Sequence, residues 1–263
     1  MKKFEEFKSK DQIFWSNIKF VSERLIYSTA GKIKIYTIRD LNELENKFDI
    51  EIPLKDEIIS YTTKRADCLN NKVEKYLLDK VTISKLYDDF IKKNNPKSKI
   101  IMNKQKKEKK HPSYLSNLVS FNCEKILGIE NFNNDPQKLS VIINNKKISK
   151  VFSRRFDGEI YKDNNPIAVW EVKEYYGTTT FGSRVADGIY ETILDGYEIN
   201  QSPSKIKHFL FVDDKFTWWK LGKSYLCRMI DILNMGLVDE IFFGKEVINE
   251  WPKTLESIKK EYF

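Results

Sequence analysis

Histidine and cysteine are nearly missing from this chain of 263 residues, which has two of the first and three of the second. Cys68, Cys123 and Cys227 stand far apart, with no CxxC or Cys/His ligand spacing, so neither a zinc site nor a disulfide framework is expected. Unpaired cysteines suit a reducing compartment, and a cytoplasmic location is the expectation. With only His111 and His208, the latter read as structural, a histidine-based triad has almost no material. No run approaches the roughly 18–20 apolar residues that cross a bilayer. The opening stretch MKKFEEFKSKDQIFW holds no apolar segment of a secretory signal. No Gly-x-x-x-x-Gly-Lys-Ser/Thr loop is present, so an ATP-driven step would need a partner. No internal repeat is visible.

What is there begins with apolar bulk. Apolar residues make up 41% of the chain, including 17 Phe and 13 Tyr, enough to bury a core in one large domain or a compact domain with an N-terminal extension. The net charge is +8. Residues 92–111, KKNNPKSKIIMNKQKKEKKH, hold nine Lys and one Glu, so this block carries the whole excess. Such a block reads either as a solvated loop or as an arm that contacts phosphates, with Lys106, Lys107, Lys109 and Lys110 as its densest part. Lysine suits backbone contact better than base reading.

Residues 1–91 read as mostly helical, with a short strand over 32–38 and helical spacing over 41–48 and 70–91. In the second of these, Leu69, Val73, Tyr76, Leu77 and Val81 share one face. Residues 92–111 read as a linker or loop, and 112–263 as a second unit. There the pattern predicts a helix over 114–127 and strands over 139–144, 148–161 and 167–173. It continues with a helix over 183–194 stopped near Gly196, a strand over 207–212, a helix over 225–235, a strand over 238–243 and a closing helix over 246–260.

The chemistry concentrates in one hairpin, RRFDGEIYKDNNPIAVWEVKE, residues 154–174. Lys162 to Pro166 is dense in turn formers. A turn centred on Asn164 puts Asp157 directly across from Glu171. Opposed residues lie with Cβ atoms about 4.5–5.5 Å apart and share a face. Glu171 and Lys173 are two apart and share that face as well, whereas Ala168, Trp170 and Val172 form an apolar face on the other side. Two carboxylates that close repel unless a cation sits between them, and a divalent metal with oxygen ligands, Mg²⁺ by preference, fits. A slip of one residue would break the arrangement. Glu159 shares the face of Asp157 and is a rival ligand. Arg154 and Arg155 flank the site, as phosphate contacts or as salt-bridge partners.

Past the second arm, YYGTTTFGSR offers hydroxyls, aromatics and an arginine at a helix start. Tyr175 and Tyr176 are candidates for stacking on bases, and Thr178, Thr179, Thr180, Ser183 and Arg184 for holding phosphate. Asp187 and Asp195 read as solvent-facing or capping, and Trp218 and Trp219 as core or dimer contacts.

The order αβββαβ, with Asp157 on the second strand and Glu171-Val172-Lys173 on the third, resembles the PD-(D/E)XK nuclease superfamily over roughly residues 113–243. The stretch from Trp170 to Arg184 looks like type II restriction endonucleases. Phe156 stands where the namesake pattern has proline. The resemblance implies an α/β fold, a mixed-sheet restriction-endonuclease-like core beside the helical N-terminal region. It implies Mg²⁺-dependent hydrolysis of phosphodiester bonds in double-stranded DNA, with Mn²⁺ as a substitute ion. Asp157 and Glu171 would hold the metal, with the Val172 carbonyl as a further ligand, and Lys173 would orient or deprotonate the attacking water. Glu124, the acidic residue of the first helix, is the candidate extra carboxylate. Cutting both strands implies a homodimer, and a defence role implies a methyltransferase or another defence-system partner. The 1–91 region would supply recognition or dimerisation. A repair or junction nuclease, a nuclease subunit of a larger complex, and a non-catalytic DNA-binding module are the alternatives.

Overall fold

The computed structural model describes residues 1–104, 109–176 and 182–263. The N-terminal part is helical. Helix α1 (Gln12–Arg24) starts at Asp11, whose carboxylate accepts the Phe14 N–H at 2.9 Å. A small hairpin, β1 (Ser28–Thr29) and β2 (Lys32–Ile33), precedes α2 (Ile38–Phe48). The strand expected over 32–38 stops early because Thr37 and Asp40 form a reciprocal capping box that starts α2. Helix α3 (Lys55–Cys68) runs through a wide turn into the short α4 (Glu74–Tyr76).

One helix was expected over 70–91, but the chain breaks at 77–79. The Asp213 carboxylate takes the Leu78 N–H at 2.7 Å, and Asp79 caps a new helix, α5 (Lys80–Asn94), through the Thr82 N–H at 2.7 Å. Leu69, Val73 and Leu77 are buried as their spacing requires, whereas Val81, beyond the break, is exposed.

Helix α6 (Tyr114–Leu127) is followed by β3 (Phe132–Asn133), β4 (Val141–Asn144), β5 (Lys147–Val151), β6 (Gly158–Lys162) and β7 (Asn165–Glu174). Then come α7 (Ser183–Asn200), β8 (Lys207–Asp213), α8 (Lys223–Asn234), β9 (Glu240–Phe243), α9 (Glu246–Asn249) and α10 (Trp251–Tyr262). The class is mixed α/β. A five-stranded sheet has the order β3-β6-β7-β8-β9, antiparallel from β3 to β7 and parallel from β7 to β9. The long strand expected over 148–161 is two strands. Its first part pairs with β4 in a separate ribbon, and Phe152 and Phe156, stacked edge to face at 5.2 Å, turn the chain into the core before β6 begins.

Each face of the sheet is covered by helices. Ala168, Trp170, Phe209, Phe211 and Phe242 pack with α6 and α10, and Trp170 meets Trp251 at 6.4 Å. On the other face Leu210, Val212, Ile241 and Phe243 pack with α7 and α8. Trp218 and Trp219 belong to this second core, and the Trp218 indole N–H donates to the carbonyls of Lys173 and Asp213, tying β7 to β8. His208 is likewise structural, with its Nδ1 2.8 Å from the Leu237 carbonyl. Among the described residues no helix is long and apolar enough to cross a membrane.

Gly196 does not stop α7, which runs on to Asn200. It is small because Leu237 packs against it: a Cβ there would lie 2.5 Å from the Leu237 carbonyl oxygen. Since the obstacle is backbone, Gly196→Val is expected to cost about 1–3 kcal/mol in a urea melt. An unchanged midpoint would show that this contact gives way freely.

Candidate active site

The hairpin formed by β6 and β7 sets the site. Its turn is Asp163-Asn164, both at positive φ (50° and 62°), so it is centred half a residue before Asn164. Lys162 pairs with Asn165 and Tyr161 with Pro166, but Ile160 pairs with Ala168. Ile167 is therefore an extra residue, a bulge that shifts the register by one position. Gly158 then pairs with Trp170, the last pair of the ladder; Asp157 donates its N–H to the Trp170 carbonyl at 3.1 Å and opens to the cleft instead of sharing the face of Glu171. Gly158 has no side chain because Trp170 lies over it: a Cβ would be 2.0 Å from the indole ring.

Asp157 stands just before β6, on the floor of an open cleft of about 1030 Å³ whose walls include Arg154, Arg155, Val172, Tyr175 and Lys104. Its Oδ2 accepts the Val172 N–H at 2.8 Å, and its own N–H donates to Glu171 Oε1 at 3.3 Å. The carboxylate is open to solvent from the cleft and backed by protein behind. That surrounding bulk first, and the Glu171 charge second, push its pKa up to about 7.

Glu171 and Lys173 point to the other side of β7, under α7, and both are buried. Lys173 Nζ lies 2.9 Å from Glu171 Oε2 and 3.0 Å from Glu191 Oε2. Arg154 Nη1 lies 3.0 Å from Glu171 Oε1 and 2.7 Å from Asp195 Oδ2, and its Nη2 lies 3.3 Å from Glu191. Burial alone would raise the Glu171 carboxyl, but Lys173 and Arg154 outweigh it and hold the pKa below the usual range. Burial would likewise lower Lys173, and Glu171, Asp157 and Glu191 outweigh it, so the ammonium stays charged.

Two members of this cluster, Glu191 and Asp195 on α7, were not foreseen. Asp195 is not solvent-facing: it is fully buried, its Oδ1 finds no partner among the described residues, and burial and Glu171 push its pKa up to about 7. The signal was their i, i+4 spacing, with Gly188 on the same face. At Gly188 the lysine stem passes so close that an added Cβ would lie 3.3 Å from Lys173 Cδ and Cε. Asp187 is exposed.

Other expected site residues lie elsewhere. Glu124 is not in the cluster. Its carboxylate accepts the N–H groups of Lys97 (2.8 Å) and Ser98 (2.8 Å) and the Ser98 hydroxyl, so it ties down the loop after α5. Glu159 accepts from Ser140 Oγ at 2.6 Å. Tyr176 is not free to stack on a base, because it is buried and its hydroxyl donates to Asp213. Tyr175 stays on the cleft wall, 5.5 Å from the Trp218 ring. Arg155, Lys109 and Lys110 are exposed. Thr178, Thr179, Thr180, Lys106 and Lys107 lie outside the described residues, as do the side chains of Ser183 and Arg184. Glu174, one past Lys173, faces the other way and caps α6 by accepting the Leu115 N–H at 2.9 Å.

The donors offered to a cation are hard oxygens, which suit Mg²⁺ or Mn²⁺. Among the described residues no group of three His, Cys, Asp or Glu side chains is arranged to hold a metal ion, and the candidate pair is Asp157 and Glu171. The repulsion that raises Asp157 is what a cation there would relieve, and in that respect the pair fits. Both Glu171 oxygens are held by the flexible side chains of Arg154 and Lys173, so a bound ion has to draw Glu171 away from one of them.

Residues 78–258 match a family described as a domain of unknown function (DUF7687), and residues 1–72 match a second domain of unknown function (DUF7690). The first match spans well over half the chain, which therefore belongs to the DUF7687 family. No curated protein and no solved structure matches the chain.

Proposed function

We propose that this protein is a metal-dependent endonuclease that hydrolyses DNA phosphodiester bonds, built on a restriction-endonuclease-like core and serving defence against foreign DNA. The observation that carries the reading is Asp157, open to a cleft walled by Arg154, Arg155 and Lys104, with the buried Glu171–Lys173 pair on the adjoining strand behind it. The order α6-β3-β6-β7-α7-β8 supports the reading, with β3 standing where a strand over 139–144 was expected, since that segment forms β4 of the separate ribbon.

In this reading Asp157 and Glu171 hold Mg²⁺. The bound ion would supply an activated water and stabilise charge on the phosphate. Lys173, kept protonated by its carboxylate neighbours on the buried side of β7, would offset negative charge from behind the site. Glu191 and Asp195 position Lys173 and Arg154 from behind. Arg155, exposed on the cleft wall, would meet backbone phosphates, whereas Arg154 is engaged by Glu171, Glu191 and Asp195.

The rival reading, a DNA-binding module whose carboxylates are structural, draws on one observation: both Glu171 oxygens already have cationic partners inside the fold. Incubation of plasmid and phage DNA with Mg²⁺ separates the two. Discrete fragments are expected from the wild type, none with EDTA, and none from Asp157→Ala, whose side chain is open to the cleft. DNA binding without cleavage, unchanged by Mg²⁺ and by Asp157→Ala, would favour the module.

A further inference from the structure

We propose that the β4–β5 ribbon is the element that grips duplex DNA, entering the major groove and holding the flanking phosphates with its lysines; this rests on the nuclease reading above. The ribbon stands apart from the central sheet. From Val141 to Val151 its sequence, VIINNKKISKV, carries three lysines and no acidic residue. Most of it is exposed, and Ile143 and Ile148, directly paired across the two strands, are 41% and 71% accessible. An apolar pair between lysines on a projecting two-stranded ribbon has the size of a major groove, which admits such a ribbon. The charge favours a polyanion over an ordinary protein surface.

The position of the ribbon supports this. Val141 and Val151, a paired couple near its base, line the same cleft as Asp157. Across the register shift, Ile143 and Ile148 lie on the face of Val141 and Val151, which is the cleft side. The ribbon is held firmly at that base. Ile142 is buried with Phe152, Phe156 and Val169. The Asn165 amide, beside the turn of the catalytic hairpin, accepts the Ile143 N–H at 2.7 Å and donates to the Ile143 carbonyl at 3.1 Å. The tip is a tight turn with Asn145 and Lys146 at positive φ, which continues the strand twist. A duplex gripped by the ribbon is thus held in fixed relation to the strands that carry Asp157 and Glu171.

The test uses the full chain carrying Asp157→Ala, with and without Lys146→Glu/Lys147→Glu, and separately with Ile148→Ser. All three added changes fall on exposed side chains, so thermal unfolding should match the parent. Fluorescence anisotropy with a labelled DNA duplex across a salt series is the readout. The double charge reversal is expected to weaken binding about tenfold or more and to reduce the slope of log K against log salt by about two. Ile148→Ser is expected to weaken binding with the slope unchanged. If the parent binds and the wild type cleaves while all ribbon variants bind as the parent does, the ribbon inference falls and the nuclease reading stands. If the variants instead lose self-association in sedimentation and keep their DNA affinity, the ribbon joins copies of the chain and the inference is overturned. If the parent binds no DNA and the wild type cuts none, the nuclease reading falls and takes this inference with it.

Discussion

Lys173→Met is expected to abolish DNA cleavage and to lower folding stability by about 3–5 kcal/mol, as removal of one partner from a buried ion pair does. The lysine is enclosed, and its ammonium is shared between Glu171 at 2.9 Å and Glu191 at 3.0 Å. Without it, Glu171 keeps Arg154 as its one cationic partner among the described residues, beside the Asp157 N–H. The double variant Glu171→Leu/Lys173→Met removes both buried charges, while Arg154 retains Asp195 and Glu191. It is expected to recover most of the stability and none of the cleavage. Urea melts and plasmid cleavage on the three proteins together make the distinction. Parental cleavage by Lys173→Met would remove this lysine from the chemistry. A double variant as unstable as the single one would mean that burial of the pair is not what costs stability.

The second large effect is structural. Asp231→Ala is expected to destabilise the protein by about 3–5 kcal/mol. Arg65 on α3 is 1% exposed and donates from Nη1 to both Asp231 oxygens at 2.9 Å, while Tyr61 donates to Oδ1 at 2.7 Å and Arg65 Nη2 reaches Ser22 at 3.0 Å. Removing Asp231 strands a guanidinium in the interior. This pair joins the segment matched over 1–72 to the segment matched over 78–258. The loss should therefore appear in one cooperative transition, followed by tryptophan fluorescence, rather than as early release of the N-terminal helices. An early, separate transition would mean that the two segments are held together elsewhere.

The local chemistry of the site was legible because it lies on adjacent strands. Alternation placed Ala168, Trp170 and Val172 on one side of β7 and Glu171 and Lys173 on the other, and the structure has them so. The expected opposition of Asp157 and Glu171 assumed a turn centre half a residue off; the Ile167 bulge offsets that, but the ladder ends at Gly158 and Trp170, and Asp157 opens to the cleft while Glu171 faces α7. A bulge has no reliable sequence mark when the extra residue is one apolar side chain among several. The partners from α7 were hidden for another reason. An acidic residue on a helix reads as solvated until a neighbouring element covers it, and that neighbour, β7, is a separate element earlier in the chain. Glu124 and Tyr176 were misjudged in the same way, since Ser98 and Asp213 claim them through contacts distant in sequence. The ribbon was merged with β6 because 148–161 carries a continuous strand-like pattern, and only the burial of Phe152 and Phe156 divides it.

The Ile167 bulge also bears on inheritance. Any insertion or deletion between Asp157 and Glu171 would swap inner and outer faces along one arm of the hairpin, unless a second change compensated it at once. Aligned relatives are therefore expected to run without gaps from Asp157 to Glu171. Length variation should collect instead at the Asn145-Lys146 tip, where residues can be gained or lost without changing the register of β6 against β7.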